Sequence, residues 1–259
     1  MVDLVIKGDL ARYLSGMPVM VAGANIAISQ PSIKDICAFG EDEFFEGLSL
    51  FVKAKNLVEK IKLDNSQLAM LSDFQVLLVI FREDKEAKKM VDNLFSLILP
   101  DYTYKYDAGC IQFYVDDKSG IVGQLNPMNF DNFKMILSEL FLPGSSKDDE
   151  PDFNPSSDKA AEIAKKLEEG RRKRAAIKAK ESGEDKIKSI FANYLSVLSI
   201  GLSMDINILY MYTPFQLYDA FRRYTAKSSY DLYQRVSTMP MVDTNEIEEP
   251  DNWIGNIYK

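Results

Sequence analysis

No histidine occurs anywhere in the 259 residues. That absence removes the usual general base near neutral pH, the Ser-His and Cys-His nucleophile pairs, and the commonest zinc ligand. Cysteine is nearly missing as well. Cys37 and Cys110 are too few for a disulfide framework and have no partner at metal-ligand spacing, so small core or half-buried positions are expected for both. Neither G-x-G-x-x-G nor G-x-x-x-x-G-K-[ST] occurs, which leaves no glycine loop to cradle a phosphate. Apolar runs are short: Phe74 to Phe81, among the longest, falls far below the ~20 residues of a helical membrane span. The first residues lack the basic start and apolar run of a signal peptide. Excess positive charge is absent too, with 31 basic against 39 acidic residues and a net charge of −8, which argues against broad attraction to nucleic acid. Together these absences predict a soluble cytoplasmic protein without enzymatic chemistry, cofactor or metal.

What is present fits an ordinary folded chain, with 46% apolar and 27% charged residues. The expected class is α+β, mainly α. An N-terminal α+β domain spans 1–142, an acidic Pro/Ser linker 143–157, and a helical domain 158–259 with a basic first helix and a loose acidic tail. In the first part, Val19, Val21, Ile26 and Ile28 alternate as short strands around a turn. Ser32 and Asp35 make a capping-box variant at the start of a short helix that Gly40 ends. A second helix starts near Glu41 and buries Phe44, Phe45, Leu48 and Phe51. Two more helices are expected over 66–82 and 84–99. The period then changes to two. Tyr102, Tyr104 and Tyr106, then Ile111, Phe113 and Val115, form a hairpin around Asp107-Ala-Gly109, with a third strand from Ile121 to Leu125. Asn126-Pro127 reads as the cap and first residue of a helix through Leu142.

After the linker, 158–180 is rich in Ala, Lys, Arg and Glu and reads as an exposed or partner-docked helix. Ser182-Gly-Glu-Asp restarts a helix whose apolar face carries Ile187, Ile190, Phe191, Tyr194, Leu195 and Leu198. Thr213-Pro-Phe-Gln216 is a strong helix start leading to Leu217, Tyr218, Phe221 and Tyr224. A separate last helix carries Tyr230, Tyr233 and Val236.

No group of residues presents a catalytic constellation. The acidic run Glu41-Asp-Glu-Phe-Phe-Glu46 suits a helix first turn, where the dipole favours carboxylates. Asp116 and Asp117 suit turn chemistry. An enzyme would need Glu43 or Asp116 brought against a distant acid. The candidate partner-binding residues are Arg171, Arg172, Lys173 and Arg174 on the basic helix, with Tyr218, Phe221 and Tyr224 on an aromatic face. That helix has neither interleaved aromatics nor base-reading side chains for nucleic acid. Core packing is a competing explanation for the tyrosines.

Two blocks carry a family resemblance. Ile26-Ala-Ile-Ser-Gln-Pro-Ser-Ile-Lys-Asp-Ile, continuing to Phe39-Gly-Glu-Asp-Glu-Phe-Phe, resembles the opening of a group of tailed-bacteriophage proteins. Ile190-Phe-Ala-Asn-Tyr-Leu-Ser-Val-Leu-Ser-Ile-Gly-Leu-Ser, with Tyr212-Thr-Pro-Phe-Gln-Leu-Tyr-Asp and Tyr230-Asp-Leu-Tyr, is similar to the later helices of the same group. The linker and basic helix between them are similar in character. The resemblance implies a tail assembly chaperone, a non-enzymatic protein that binds tail-tube and tape-measure subunits in the host cytoplasm during tail morphogenesis. A structural component of the baseplate or virion tail is the alternative it leaves open.

Overall fold

The computed structural model describes residues 9–52, 71–107, 109–115, 120–142, 189–239, 250, 253–255 and 257–258. The architecture there is α+β and mainly helical, with a two-stranded and a three-stranded antiparallel sheet. The linker 143–157, the basic helix expected over 158–180 with Arg171–Arg174, the Ser182 cap, Asp116–Asp117 and the acidic tail from 240 to 249 lie outside the described residues.

A short helix, α1 (Leu10–Ser15), opens the described chain. Asp9 caps it by accepting from the Arg12 N–H at 3.2 Å, and Gly16 ends it in the left-handed region. Strands β1 (Val19–Val21) and β2 (Ile26–Ile28) pair antiparallel, Val19 opposite Ile28 and Val21 opposite Ile26, so the alternation buries those four side chains. Helix α2 (Ile33–Phe39) starts on the expected capping box of Ser32 and Asp35 and stops at Gly40. Cys37 lies exposed on it rather than in the core, while Cys110 is half-buried.

Helix α3 (Glu41–Val52) buries Phe44, Leu48 and Phe51, as their spacing requires. Helices α4 (Asp73–Glu83) and α5 (Lys85–Ile98) follow. Ser72 and Gln75 box the start of α4. Asp84 caps α5 with one carboxylate oxygen that accepts from the N–H groups of Glu86 and Ala87. The larger sheet has the order β3 (Thr103–Asp107), β4 (Cys110–Tyr114), β5 (Gly123–Leu125).

Helix α6 (Phe130–Phe141) begins later than the Asn-Pro pair suggests. Asn126–Asn129 form a turn instead. Asn129, 3% exposed, donates its side-chain amide to the carbonyls of Gly23 and Gln124 and accepts from the Asn126 N–H. The bond to Gly23, 106 residues away, together with the local ones outweighs the preference of Pro127 for a first helical position.

The remaining helices are α7 (Ile190–Leu202), α8 (Ile206–Tyr210) and α9 (Pro214–Ser237). The two helices expected after Thr213 are one continuous helix of 24 residues. No Gly or Pro interrupts it, and Lys227 and Asp231 pair at 2.7 Å, one turn apart, across the expected break.

One buried cluster draws on residues before 142 and after 189 alike. Phe51 stacks on Phe95 and meets Phe133 edge-on, while Phe44 meets Phe141. Phe45 to Phe191, at 5.5 Å, and Tyr13 to Phe215, at 5.3 Å, extend the cluster to α7 and α9. Hydrogen bonds add to this packing: the buried Tyr13 hydroxyl donates to Glu139 of α6 at 2.8 Å, and the half-buried Gln216 amide of α9 donates to the Leu14 carbonyl at 2.7 Å. Among the described residues no helix is long and apolar enough to cross a membrane.

Candidate interaction surface

From Ser189 to Thr213 the chain holds a single charged side chain, Asp205. This stretch forms α7, a tight corner and α8. A helix without charge is normally enclosed by its neighbours, yet only one side of α7 is covered. Phe191, Leu195 and Leu198 are fully buried, while Ile190, Val197 and Ile200 are exposed on the other side. Ile200 is 80% exposed, and past the corner Ile208 is 53% and Met211 62% exposed. The result is a charge-poor apolar surface spanning two helices.

The position of that surface is set at both ends of α7. At the start, the Glu41 carboxylate of α3 reaches across, accepting from the Ile190 N–H at 2.6 Å, the Phe191 N–H at 3.3 Å and the Ser189 hydroxyl. A carboxylate satisfies orphan donors there and sits favourably at the positive end of the helix dipole. At the other end Ser203 adopts a left-handed conformation, its N–H bonded back to Ile200 and Ser199. The Ser199 hydroxyl donates to the Met204 carbonyl at 2.8 Å, and Asp205 caps α8. These bonds hold the corner, so the outward apolar side chains sit on a fixed frame.

The tyrosine-rich face of α9 turns toward α7. Tyr194 meets Tyr218 at 5.1 Å and Phe221 at 4.6 Å, both edge-on, and Gly201 lies so close to Tyr224 that a side chain there would collide with the ring. Tyr218 is buried, and Phe221 and Tyr224 are half-buried. Burial holds the Tyr218 hydroxyl well above its ordinary ionisation range, with Tyr194 and Glu41 adding to the effect. Arg171, Arg172, Lys173 and Arg174 lie outside the described residues.

Ile190, expected on the same apolar face as Phe191, Leu195 and Leu198, is exposed instead, and Val197 and Ile200 of that outer stripe were not marked by the sequence because one apolar face satisfies the helical pattern. The signal for the other was the missing charge between Ser189 and Thr213. A further feature unmarked by sequence is the chain end. Tyr258 is buried against Phe215 at 5.9 Å, donates to Asp219 at 2.7 Å and lies under Arg222 at 4.9 Å, while Arg223 donates to the Trp253 carbonyl at 3.1 Å.

Glu43 is exposed on α3, and among the described residues no three His, Cys, Asp or Glu side chains are grouped to hold a metal ion. The chemistry this surface can perform is reversible burial of apolar area on a partner. Comparison of the chain with protein-family models, curated proteins and solved structures gives no significant match.

Proposed function

We propose that this protein is a non-enzymatic assembly chaperone of a bacteriophage tail, binding tail-tube and tape-measure proteins in the host cytoplasm while the tail is built. The observation that carries the reading is the exposed, nearly uncharged surface of α7 and α8, held on a fixed frame by Glu41 and the Ser203 corner. Subunits that polymerise must keep apolar interfaces from associating early, and a patch of this kind can cover them reversibly. The same helix lies within the second block of residues that resembles the tail proteins. The basic cluster Arg171–Arg174 would speed encounter with acidic subunits more than it would add affinity.

Two experiments test the proposal. Charged substitutions on the patch, Ile200→Lys with Ile208→Lys, are expected to reduce co-purification with co-expressed tail-tube protein at least tenfold; unchanged capture sinks the assignment of the surface. Mass spectrometry of purified particles against infected-cell lysate tests the role itself. A chaperone is abundant in lysate and missing from particles. A fixed copy number per particle identifies a structural component of the baseplate or tail instead.

A further inference from the structure

We infer that α7 pairs side by side with α7 of a second copy of this chain, so that the protein exchanges between a monomer and a weak two-fold dimer. Ile190, Asn193, Val197 and Ile200 lie three, four and three residues apart along the helix. That is the spacing of a helix-pairing seam, in which side chains recur every 3.5 residues or so. All four are exposed, Ile200 most of all. The core-facing residues Phe191, Leu195 and Leu198 form a separate stripe, and α9 packs on Tyr194 rather than on the seam. Ser196, beside the seam, is exposed and small enough to let a second helix come close.

Charge and hydrogen bonding select a second copy as the occupant. No side chain of α7 is charged, so two copies meet along it without like-charge repulsion, although whole chains of net charge −8 repel one another elsewhere. Asn193 sits within the seam, and its amide both donates and accepts, which makes it complementary to itself. With the two-fold axis along the helices, each seam residue meets its own counterpart and the two Asn193 amides pair. An antiparallel pair sets Asn193 against Val197 and buries both amides unmatched, the costlier arrangement.

The available area fits a reversible pair. The exposed parts of Ile190, Val197 and Ile200, with Ile208 and Met211 past the corner, come to roughly 500 Å² per copy, close to the ~600 Å² that each partner gives up in the smallest specific interfaces. Asn193 and Ser196 bring the surface to that scale. At low concentration the surface therefore faces solvent, and at high concentration a second copy covers it. The pairing rests on this face and not on the tail assignment. One consequence does depend on the chaperone reading: a client must displace the second copy, which keeps the apolar surface covered until then.

The test is sedimentation velocity of the purified full chain, without any client, from low micromolar to near-millimolar concentration. A monomer–dimer equilibrium is expected, with a dissociation constant on the order of 100 µM. Raising the salt should tighten it at least about twofold, because screening relieves the repulsion between the two acidic chains. Ile200→Lys is expected to weaken the dimer at least about tenfold, while Leu232→Lys, at an equally exposed apolar position on α9, leaves it unchanged. Asn193→Cys in a Cys37→Ser background, oxidised with copper phenanthroline, should crosslink two copies through position 193. A monomer at every concentration overturns the proposal, as does a dimer that survives Ile200→Lys or lacks the crosslink at 193. Open-ended assembly beyond two copies overturns it too, in favour of unspecific apolar association.

Discussion

Glu41 belongs to a run of acids whose presence the dipole of α3 explains, but its carboxylate is turned to another helix, where it accepts from Ser189, Ile190 and Phe191. Glu41→Ala leaves two backbone donors at the start of α7 without this partner and is expected to cost about 1–2 kcal/mol in urea unfolding, with Glu41→Gln losing less. A loss under 0.3 kcal/mol would mean that water replaces the carboxylate without penalty. Tyr258 makes a residue-scale prediction of a different kind. Its hydroxyl ionises well above the ordinary range, first because it is buried and next because it donates to Asp219, and Tyr13 on Glu139 is raised in the same way. A tyrosine that stays neutral when folded but ionises near pH ~10 when unfolded contributes its full stabilisation below that pH and loses it as the pH rises above. Stability should therefore fall above pH ~10. Tyr258→Phe should reduce that slope by up to about 1.4 kcal/mol per pH unit, as unfolding midpoints across that range would reveal.

At the scale of elements, the contact between the two sheets depends on one missing side chain. Gly123 of β5 faces the β1–β2 turn, and a Cβ there would stand 2.5 Å from the Ala24 carbonyl oxygen and 2.7 Å from that of Asn25. The Gln124 N–H donates to the Ala24 carbonyl at 2.9 Å, so the strand cannot retreat without breaking a bond. Gly123→Ala is expected to destabilise by about 1–3 kcal/mol, measured by thermal unfolding, because backbone atoms rather than side-chain tips must move. Gly201 is similarly close to Tyr224, but there the obstacle is the end of a side chain, and substitution should cost less. Elements fixed by local chemistry were legible in the sequence: the Ser32 and Thr213 caps, the stop at Gly40, and the alternation of 102–115 all act within a few residues. The start of α6 was not, since Asn129 takes its partners from Gly23 and Gln124.

At the scale of the whole molecule, the apolar surface of α7 and α8 stands out because exposed Ile190, Val197, Ile200, Ile208 and Met211 lie within one stretch that holds a single charge. If it faces solvent, charging it should leave the fold intact. The double variant Ile200→Lys, Ile208→Lys is expected to change unfolding free energy by no more than about 0.5 kcal/mol while lowering the binding of an apolar-surface dye. Marked destabilisation would place those side chains inside a packed contact. The shared core has a consequence at the same scale. Phe45 on Phe191, Tyr13 on Phe215 and the Glu41 anchor tie the helices after 189 to those before 142, so perturbing one set should be felt by the other.

The sequence by itself determined the fold class, the capped helices, the three-stranded meander and the want of histidine chemistry, because each follows from composition or from periods of two and 3.6 residues read locally. Only the tertiary structure decided which side of α7 is covered, that Glu41 serves a helix remote in sequence, and that α9 runs unbroken. Those outcomes turn on which surfaces meet. A helix with two apolar stripes has no local preference for burying one over the other. That choice lies with the neighbours that come to cover it.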